Sequence, residues 1–370
     1  MKPRTLRQWA WVHKWSSLVS TAFLLLLCLT GLPLIFHEEI EHAFEPPPQA
    51  SGEFAPAAAG AAPTLDELVA HALARSGDPH ANFVLIDHDE ALVQVGTSPT
   101  RQPAPGEANT HGFDPRSGAV LLPHEDDGGF MDVMLRLHTD LYLDLPGKLF
   151  LGFMGLLMAV ALVSGVVLYA PFMRRLAFGT VRHGHAPRTR WLDIHNLLGI
   201  VTLVWLLVVG LTGTINTLEL PLGQLWRAND LAAMLQRHAS DAPAQTLAPL
   251  QGAMASAAER APDTQPVSII FPGMAISGPR HYLVILRGDT PATRQQVQAM
   301  LIDAETGRVA DHSVMPWYVQ ALSWSQPLHF GDYGGLPLKI LWALLTVLST
   351  VVLGSGLYLW LRKPRGGRAA

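Results

Sequence analysis

Residues 149–173 read LFLGFMGLLMAVALVSGVVLYAPFM, an apolar run without a charged side chain. A helix needs about 20 such residues to cross the ~30 Å hydrocarbon core of a membrane. Three further runs have the same character, at Leu18–Phe36, Leu197–Leu218 and Ile340–Leu361. The first of these is followed by His37-Glu38-Glu39 rather than by a small-residue cleavage site, so it is interpreted as a span and not as a signal peptide. The sequence therefore predicts an α-helical membrane protein with four spans.

The composition agrees with a lipid environment and excludes several classes of protein. Charged residues make up 15% and apolar residues 49% of the 370 residues, and the net charge of −4 does not favour nucleic acid as a partner. The single cysteine, Cys28, can form no internal disulfide and cannot hold an iron–sulfur cluster. No G-x-G-x-x-G follows a strand pattern, so no dinucleotide site is predicted.

The charges beside the spans predict the orientation of the chain. The segments 1–14, 174–195 and 362–370 carry 13 Lys and Arg and one acidic residue, whereas the loops 37–148 and 218–339 carry 13 Lys and Arg and 29 acidic residues. Positively charged flanks stay in the cytoplasm. We therefore expect a multi-pass protein of the bacterial inner membrane, with both termini in the cytoplasm and both large loops in the periplasm.

The two halves of the chain repeat each other, which predicts a tandem, parallel duplication. A shift of 182 superimposes the first span on the third, and a shift of 191 superimposes the second on the fourth. The matched residues are Trp9 and Trp191, His13 and His195, Leu29-Thr30-Gly31 and Leu211-Thr212-Gly213, Leu137-His138 and Leu328-His329, Pro146 and Pro337, Lys148 and Lys339, and Ser164-Gly165 and Ser355-Gly356. Four helices would then form one bundle with the halves facing each other across an axis along the membrane normal.

The chain divides by this pattern into five regions. They are the N-terminus with the first span (1–36), the first periplasmic domain (37–148), the second and third spans with their cytoplasmic loop (149–218), the second periplasmic domain (219–339), and the fourth span with its tail (340–370). Each loop contains a helix pattern, two apolar strand patterns and an Asp-initiated turn that ends in glycine, so we expect a small α+β domain in each. The helix patterns are Thr64–Arg75 and Leu247–Arg260, the strand patterns are Phe83–Ile86, Ala91–Val95, Val267–Phe271 and His281–Leu286, and the turns are 114–118 and 303–307. The Pro- and Ala-rich stretch Glu45–Pro63 is interpreted as a tether.

Four histidines recur in register at the ends of the spans. The bundle axis would bring His13 opposite His195 on the cytoplasmic side, and His138 opposite His329 on the periplasmic side. Two facing imidazoles in a bundle are the ligands of a six-coordinate haem iron. The sequence therefore predicts two haem b groups. A single interfacial histidine is usually just an amphipathic side chain, so the prediction depends on the fourfold recurrence.

Small and cationic residues accompany these histidines. Helix rise places Gly31 and Gly213 near the periplasmic pair, and Gly165 and Gly356 near the cytoplasmic pair, where they would leave room for a macrocycle. Helix packing is an equally good explanation of these glycines. Lys148, Lys339, Arg136 and Arg190 are candidates for binding haem propionates.

Other metal chemistry stays open at this stage. Two histidines alone make a poor zinc or copper site, although Asp193 or Asp140 could supplement one. The preferred interpretation of Asp193 is that it orients His195 or caps the third span. His37 and His42 have no repeat partner and are interpreted as surface residues, with a substrate or metal role as the alternative.

These motifs resemble the PepSY-associated transmembrane family of bacterial iron-regulated membrane proteins. The resemblance is carried by Trp11–His37 with its Leu-Thr-Gly, Leu137-His138 followed by Pro146-Gly147-Lys148, Ser164–Tyr169, and the Asp-Pro-x-x-Gly-like turns. Within the family the chain is most similar to siderophore reductases of the ferrioxamine reductase FoxB type. The resemblance implies PepSY domains in the loops, two haems, and His13, His138, His195 and His329 as the axial ligands.

Together these features predict a di-haem cytochrome that passes electrons from an unidentified donor across the membrane to a periplasmic ferric siderophore, of hydroxamate type by analogy, and releases Fe(II). Two alternatives remain open. One is a haem-less membrane anchor whose PepSY-like domains bind a partner such as a protease. The other is a cytochrome subunit that serves a partner oxidoreductase.

Overall fold

The computed structural model describes residues 2–44, 50–51, 62–104, 106–121, 129–173 and 177–362. Its contacts divide the chain into two compact units. The helical unit comprises Met1–Phe44, Asp126–Leu220 and Trp324–Ala370, and the sheet unit comprises Glu45–Glu125 and Pro221–Ser323.

Helices and strands alternate in blocks along the chain. The α-helices are α1 (Pro3–Leu34), α2 (His37–Phe44), α3 (Leu65–Ser76), α4 (Phe130–Thr139), α5 (Asp144–Met173), α6 (Pro187–Val201), α7 (Leu203–Asn216), α8 (Glu219–Trp226), α9 (Ala232–Arg237), α10 (Leu250–Arg260), α11 (Trp317–Phe330) and α12 (Gly335–Leu361). The strands are β1 (Ala50–Ser51), β2 (His80–Asp87), β3 (Leu92–Ser98), β4 (Asn109–Phe113), β5 (Val120–Leu121), β6 (Thr264–Ile270), β7 (His281–Gly288), β8 (Val297–Asp303) and β9 (Val309–Val314).

The helical unit contains the predicted spans. Among the described residues, α1, α5 and α12 are each long and apolar enough to cross a membrane, and α6 with α7 makes a fourth span if the pair is taken together. The prediction of an α-helical membrane protein is confirmed at this level.

The third predicted span, Leu197–Leu218, is broken near its start, where α6 and α7 meet at an angle of 64°. The break lies at Thr202, whose hydroxyl donates a hydrogen bond to the carbonyl of Leu198 (2.9 Å). Such back-bonds favour bending, but Ser20 and Thr30 make the same bond within the unbroken α1, so the threonine alone does not set the angle. The matching span of the first half, α1, runs unbroken from Pro3 to Leu34.

In the described part of the chain, the strands of the sheet unit form a single antiparallel sheet. Its nine strands have the order β1-β5-β4-β3-β2-β6-β7-β8-β9. Helices α3 and α10 contribute to one apolar core, in which Leu68 and Ala253 lie among side chains of the strands such as Val84, Phe113 and Met300. A second cluster contains Leu231, Met234 and Leu301.

One continuous sheet replaces the two separate domains that we expected. Strand β2 of the first loop pairs with β6 of the second, with Val84 opposite Ile269. Without this pairing, β2 and β6 would each present an edge of unpaired backbone N–H and C=O groups. Pairing the two edges gives these groups hydrogen-bond partners. The expected helices and strands themselves are present, as α3 and α10 and as β2, β3, β6 and β7.

The same turn closes a hairpin in each loop. Asp114 and Asp303 each accept a hydrogen bond from the amide of a glycine four residues later, Gly118 (2.7 Å) and Gly307 (2.9 Å). Both glycines have φ near +70°, which a residue with a side chain rarely adopts. The Asp-initiated, Gly-terminated pattern therefore predicts this turn correctly.

The boundaries of the units differ from the predicted domain boundaries. Residues 37–44, 126–148, 219–220 and 324–339 lie in the helical unit and not with the loops, and there α4 and the second half of α11 precede α5 and α12. Most of the predicted tether Glu45–Pro63 lies outside the described residues. Of it, Ala50–Ser51 forms β1, which pairs with β5.

Candidate functional site

The helical unit brings the four histidines together as two pairs. The ring centroids of His13 in α1 and His195 in α6 lie 6.4 Å apart, with the rings inclined at 71°. Those of His138 in α4 and His329 in α11 lie 6.2 Å apart, at 58°. Each pair combines one residue from each half of the chain, as the sequence repeat predicts.

All four imidazoles are held in the same way, by a backbone carbonyl of a neighbouring helix. Nδ1 of His13 bonds to the carbonyl of Ala161 (2.8 Å), Nδ1 of His195 to Val352 (3.0 Å), and Nδ1 of His329 to Val209 (2.8 Å). His138 also has a backbone hydrogen-bond partner, Leu27. A carbonyl only accepts, so Nδ1 carries the proton in the rings of His13, His195 and His329, and Nε2 keeps its lone pair.

The glycines explain how a ring approaches a helix so closely. Each acceptor carbonyl lies four residues before one of the predicted glycines. A Cβ at that glycine would meet Cε1 of the histidine at 2.9 Å for Gly31 and His138, 2.7 Å for Gly213 and His329, 3.1 Å for Gly165 and His13, and 3.4 Å for Gly356 and His195. The glycines therefore make room for the imidazoles themselves. Their role in leaving room for a macrocycle stays a prediction.

We call each glycine, together with the carbonyl four residues before it, the seat of the histidine that it contacts. Hydroxyl groups lie beside the histidine at three of the four seats. Ser355 Oγ lies 3.0 Å from Nδ1 of His195, Thr30 Oγ1 lies 3.0 Å from Nδ1 of His138, and Ser164 Oγ lies 3.3 Å from Nδ1 of His13. Each hydroxyl residue directly precedes a seat glycine. The recurring Ser/Thr-Gly dipeptide was visible in the sequence, but its contact with histidine was not predicted.

The spacing of the rings fits two axial ligands on one iron. A metal–imidazole bond is about 2.0 Å long and a ring nitrogen lies roughly 1.1 Å from its ring centroid, so two such ligands in line have centroids about 6 Å apart. Both pairs have this separation. With Nδ1 engaged by the backbone, Nε2 is the nitrogen available for the metal.

The two pairs lie toward opposite ends of the bundle. Helix α1 carries His13 of one pair and Gly31, the seat of His138 in the other. These positions are separated by about 27 Å of helix at ~1.5 Å per residue, which is close to the thickness of the hydrocarbon core.

Comparison with known proteins identifies the family. The sequence pattern of the family described as "PepSY-associated TM region" matches residues 10–363. The chain belongs to the PepSY-associated TM family. A relative in Pseudomonas aeruginosa, named only as an uncharacterized protein, is 27% identical over 254 residues, which cover 63% of this chain and 64% of the relative. The match thus spans a little under two thirds of the relative's length.

In this PepSY-associated TM protein Lys339 already has two carboxylate partners. Its Nζ lies 2.6 Å from Glu38 and 2.9 Å from Glu39, and the lysine side chain is only 4% exposed. Both glutamates belong to α2, directly after the first span. Lys339 therefore ties the ends of α1 and α12 together, which makes it a weaker candidate for a propionate than the sequence suggested.

The other predicted cations have different surroundings. Arg136 pairs loosely with Asp132 (3.6 Å) and lies over the ring of Tyr142. Arg190 is exposed and Lys148 is half-buried. Within the described residues neither of these two forms an ion pair, so they remain available to an anionic group.

Asp193 has a different role from the one predicted. It is buried and accepts two hydrogen bonds from the guanidinium of Arg182 (2.7 and 2.9 Å) and one from its backbone amide (3.0 Å). It anchors the loop before α6, while His195 is oriented by Val352 and Ser355. Asp140 accepts a bond from the amide of Tyr142 in the turn after α4 (2.8 Å).

The two unmatched histidines lie in α2. Nδ1 of His37 bonds to the carbonyl of Leu34 (3.1 Å) and its ring is exposed. The side chain of His42 lies outside the described part of the structure.

Lys339, Glu38 and Glu39 form a group that we call the Lys339 cluster. Removing its two carboxylates should lower stability more than removing its lysine. Replacing Glu38 and Glu39 together by glutamine leaves a buried ammonium without a countercharge and should cost about 3 kcal/mol. Lys339→Met keeps the apolar stem and lets two half-exposed carboxylates rehydrate, so it should cost about 1 kcal/mol or less. Thermal unfolding of the two variants in detergent measures the difference, and equal melting temperatures would contradict the assigned role.

The same cluster has a pH dependence. The hydrogen bond from Lys339 holds the pKa of the Glu39 carboxyl below its usual range. Its contribution to stability is therefore complete above the ordinary carboxylate pKa and is lost as the pH falls through the lowered one. In Lys339→Met that acid-side decline in melting temperature should be shallower.

Proposed function

We propose that this protein is an inner-membrane, di-haem b-type cytochrome that passes electrons across the membrane to reduce a periplasmic ferric siderophore. The observation that carries the proposal is that four histidines are held by similar contacts and meet in two pairs. Four imidazoles form two pairs with the spacing of axial ligands, and each bonds to the backbone of another helix, three of them demonstrably through Nδ1.

In this proposal His13 and His195 hold the haem on the cytoplasmic side, and His138 and His329 hold the one on the periplasmic side. Bound haem supplies reversible one-electron exchange at its iron. The protein fixes the rings through the seat glycines. The Nδ1–H bonds to carbonyls make Nε2 a stronger donor, which stabilises the oxidised metal and lowers its potential.

A site toward each end of the bundle suits transfer across the membrane. The apolar core is a barrier to charged carriers, so an electron route needs protein-held sites near both surfaces. The basic short segments and acidic long loops support a cytoplasmic location for the first pair and a periplasmic location for the second.

The proposed substrate chemistry is a balanced one-electron reduction. A donor on the cytoplasmic side or in the membrane loses one electron for each Fe(III) that becomes Fe(II) in the periplasm. Hydroxamate oxygens are hard ligands that bind Fe(III) far more tightly than Fe(II), so reduction alone releases the metal. No covalent nucleophile or proton relay is needed.

The test uses full-length protein purified in detergent from haem-replete cells. We expect a sharp α band after reduction and about two haems per chain by pyridine haemochrome. Under nitrogen, addition of a ferric hydroxamate to the reduced protein should restore the oxidised spectrum and yield Fe(II), which a ferrous chelator reports.

The gallium(III) complex of the same hydroxamate has the same charge and size but accepts no electron, and it should leave the reduced spectrum unchanged. A colourless protein would refute the proposal in favour of a membrane anchor. A haem-loaded protein that ferric hydroxamate does not reoxidise would favour a cytochrome subunit that serves a partner oxidoreductase.

A further inference from the structure

A second group of metal-binding side chains belongs to the sheet unit, whereas the histidine pairs belong to the helical unit. The potential ligand atoms of His238, Asp241 and His281 all lie within 4.8 Å of one another. His238 follows α9, Asp241 lies three residues later in the same turn, and His281 is the first residue of β7. Local turn geometry supplies two of these side chains and the sheet supplies the third.

We propose that His238, Asp241 and His281 bind one divalent transition-metal ion. Asp241 Oδ2 is the common point of the cluster, 3.2 Å from Nδ1 of His238 and 3.7 Å from Nε2 of His281. Ligands bound to one tetrahedral ion by bonds of about 2.0–2.1 Å lie roughly 3.3 Å from each other. Small side-chain adjustments therefore satisfy all three bonds.

The surroundings of the site resemble the outer shell of a metal centre. Nε2 of His238 lies 3.8 Å from Asp311 Oδ2, and Arg237 holds that carboxylate at 2.6 Å. A carboxylate that accepts from the far nitrogen of a ligating histidine fixes its orientation and strengthens it as a ligand. Binding through Nδ1 of His238 leaves Nε2 facing Asp311 at 3.8 Å, which is longer than a hydrogen bond, so the ring has to shift by several tenths of an ångström to make it.

The charges near the cluster favour a cation at Asp241. Arg237 is engaged by Asp311, and Arg280 by Asp303 (2.6 Å) and Glu305 (3.1 Å). In the part of the chain that the structure describes, the ionic partners of Asp241 are the two histidines alone. The neighbouring guanidinium groups thus leave its negative charge for the metal.

The cluster is held firmly by the sheet on one side and is accessible to solvent on the other. The His281 side chain is 3% exposed and is held at the start of β7, opposite Asp303 of β8, whereas Asp241 is 35% exposed. One side of the cluster therefore opens to solvent, so an ion can enter and a water can fill the fourth position. Two imidazoles and one carboxylate suit zinc or ferrous iron better than magnesium or calcium, which prefer all-oxygen sites.

Zinc is the probe of choice, because haem iron does not contribute to its count. Full-length protein in detergent is treated with chelator, dialysed to equilibrium against graded Zn²⁺ and assayed for zinc per chain by mass spectrometry. We expect about one zinc per chain. Asp241→Asn and His281→Gln should weaken binding at least tenfold, and Asp311→Asn by roughly 10–100-fold.

His312→Gln is the matched control. It lies on β9 of the same sheet, and its Nε2 bonds to Gln298 (2.6 Å), outside the cluster. This variant should bind zinc as the wild type does. Circular dichroism of each variant establishes that it is folded. Equal zinc binding by wild type and Asp241→Asn, or an equal loss in His312→Gln, would overturn the proposal whatever the haem content proves to be.

Discussion

Replacing His329 by alanine should leave a protein with about one low-spin, six-coordinate haem per chain instead of two, and it should abolish electron transfer to a ferric hydroxamate. His329 and His138 form the pair assigned to the periplasmic side, and no other imidazole among the described residues occupies its seat at Gly213. With one axial ligand gone, haem is either lost or held as a high-spin, five-coordinate group. Pyridine haemochrome counting and the reduced spectrum distinguish these results from wild type.

His13→Ala provides the complementary variant, since it removes a ligand from the cytoplasmic-side pair. It should also retain about one haem, the one assigned to His138 and His329. A soluble chemical reductant can still reduce this haem, and a ferric hydroxamate can still reoxidise it. His37→Ala, a change to an exposed histidine outside both pairs, should retain two haems. Two haems with low-spin spectra in both ligand variants would show that these imidazoles are not the ligands.

Alanine at the four seat glycines should weaken haem binding in a graded order set by distance. The added Cβ would lie 2.7 Å from His329 at Gly213, 2.9 Å from His138 at Gly31, 3.1 Å from His13 at Gly165 and 3.4 Å from His195 at Gly356. Crowding in a packed interior costs typically 1–3 kcal/mol, so Gly213→Ala should weaken retention of the periplasmic-side haem roughly 5- to 150-fold. Gly356→Ala, at ordinary van der Waals distance, is the internal control and should be close to wild type.

Haem transfer to apomyoglobin measures this series, because it reports retention of each haem without requiring catalysis. A variant that merely unfolds loses both haems together, whereas displacement of one imidazole loses one. If all four alanine variants behaved alike, or if Gly356→Ala were the most damaging, the seats would not act through contact with the rings.

The sequence anticipated the parts of this protein that depend on long periodic patterns. Four apolar runs predicted the spans, and the shifts of 182 and 191 predicted which histidines meet. Helix rise alone placed Gly31 and Gly213 at the depth of the His138–His329 pair, and Gly165 and Gly356 at the depth of the His13–His195 pair. These features depend on regular geometry, which a single sequence encodes directly.

Features that depend on tertiary contacts were missed. The acceptors for Nδ1 are backbone carbonyls, which have no residue signature. Thr202 is one of many hydroxyl residues in the spans, and its bend depends on how α6 and α7 pack. Pairing of β2 with β6 joins edges far apart in sequence, and the partners of Lys339 lie in α2, about 300 residues earlier. The His238, Asp241 and His281 cluster is likewise assembled only by the fold.

The use of main-chain oxygens to hold the imidazoles has a consequence for mutational tolerance. A substitution at Leu27, Ala161, Val209 or Val352 changes a side chain but cannot delete the oxygen that accepts the bond. These four equivalent positions accordingly hold three different amino acids, whereas the position four residues later is glycine every time. Within this chain the acceptor position thus accommodates apolar side chains of different size, whereas the point of closest approach to each ring holds glycine.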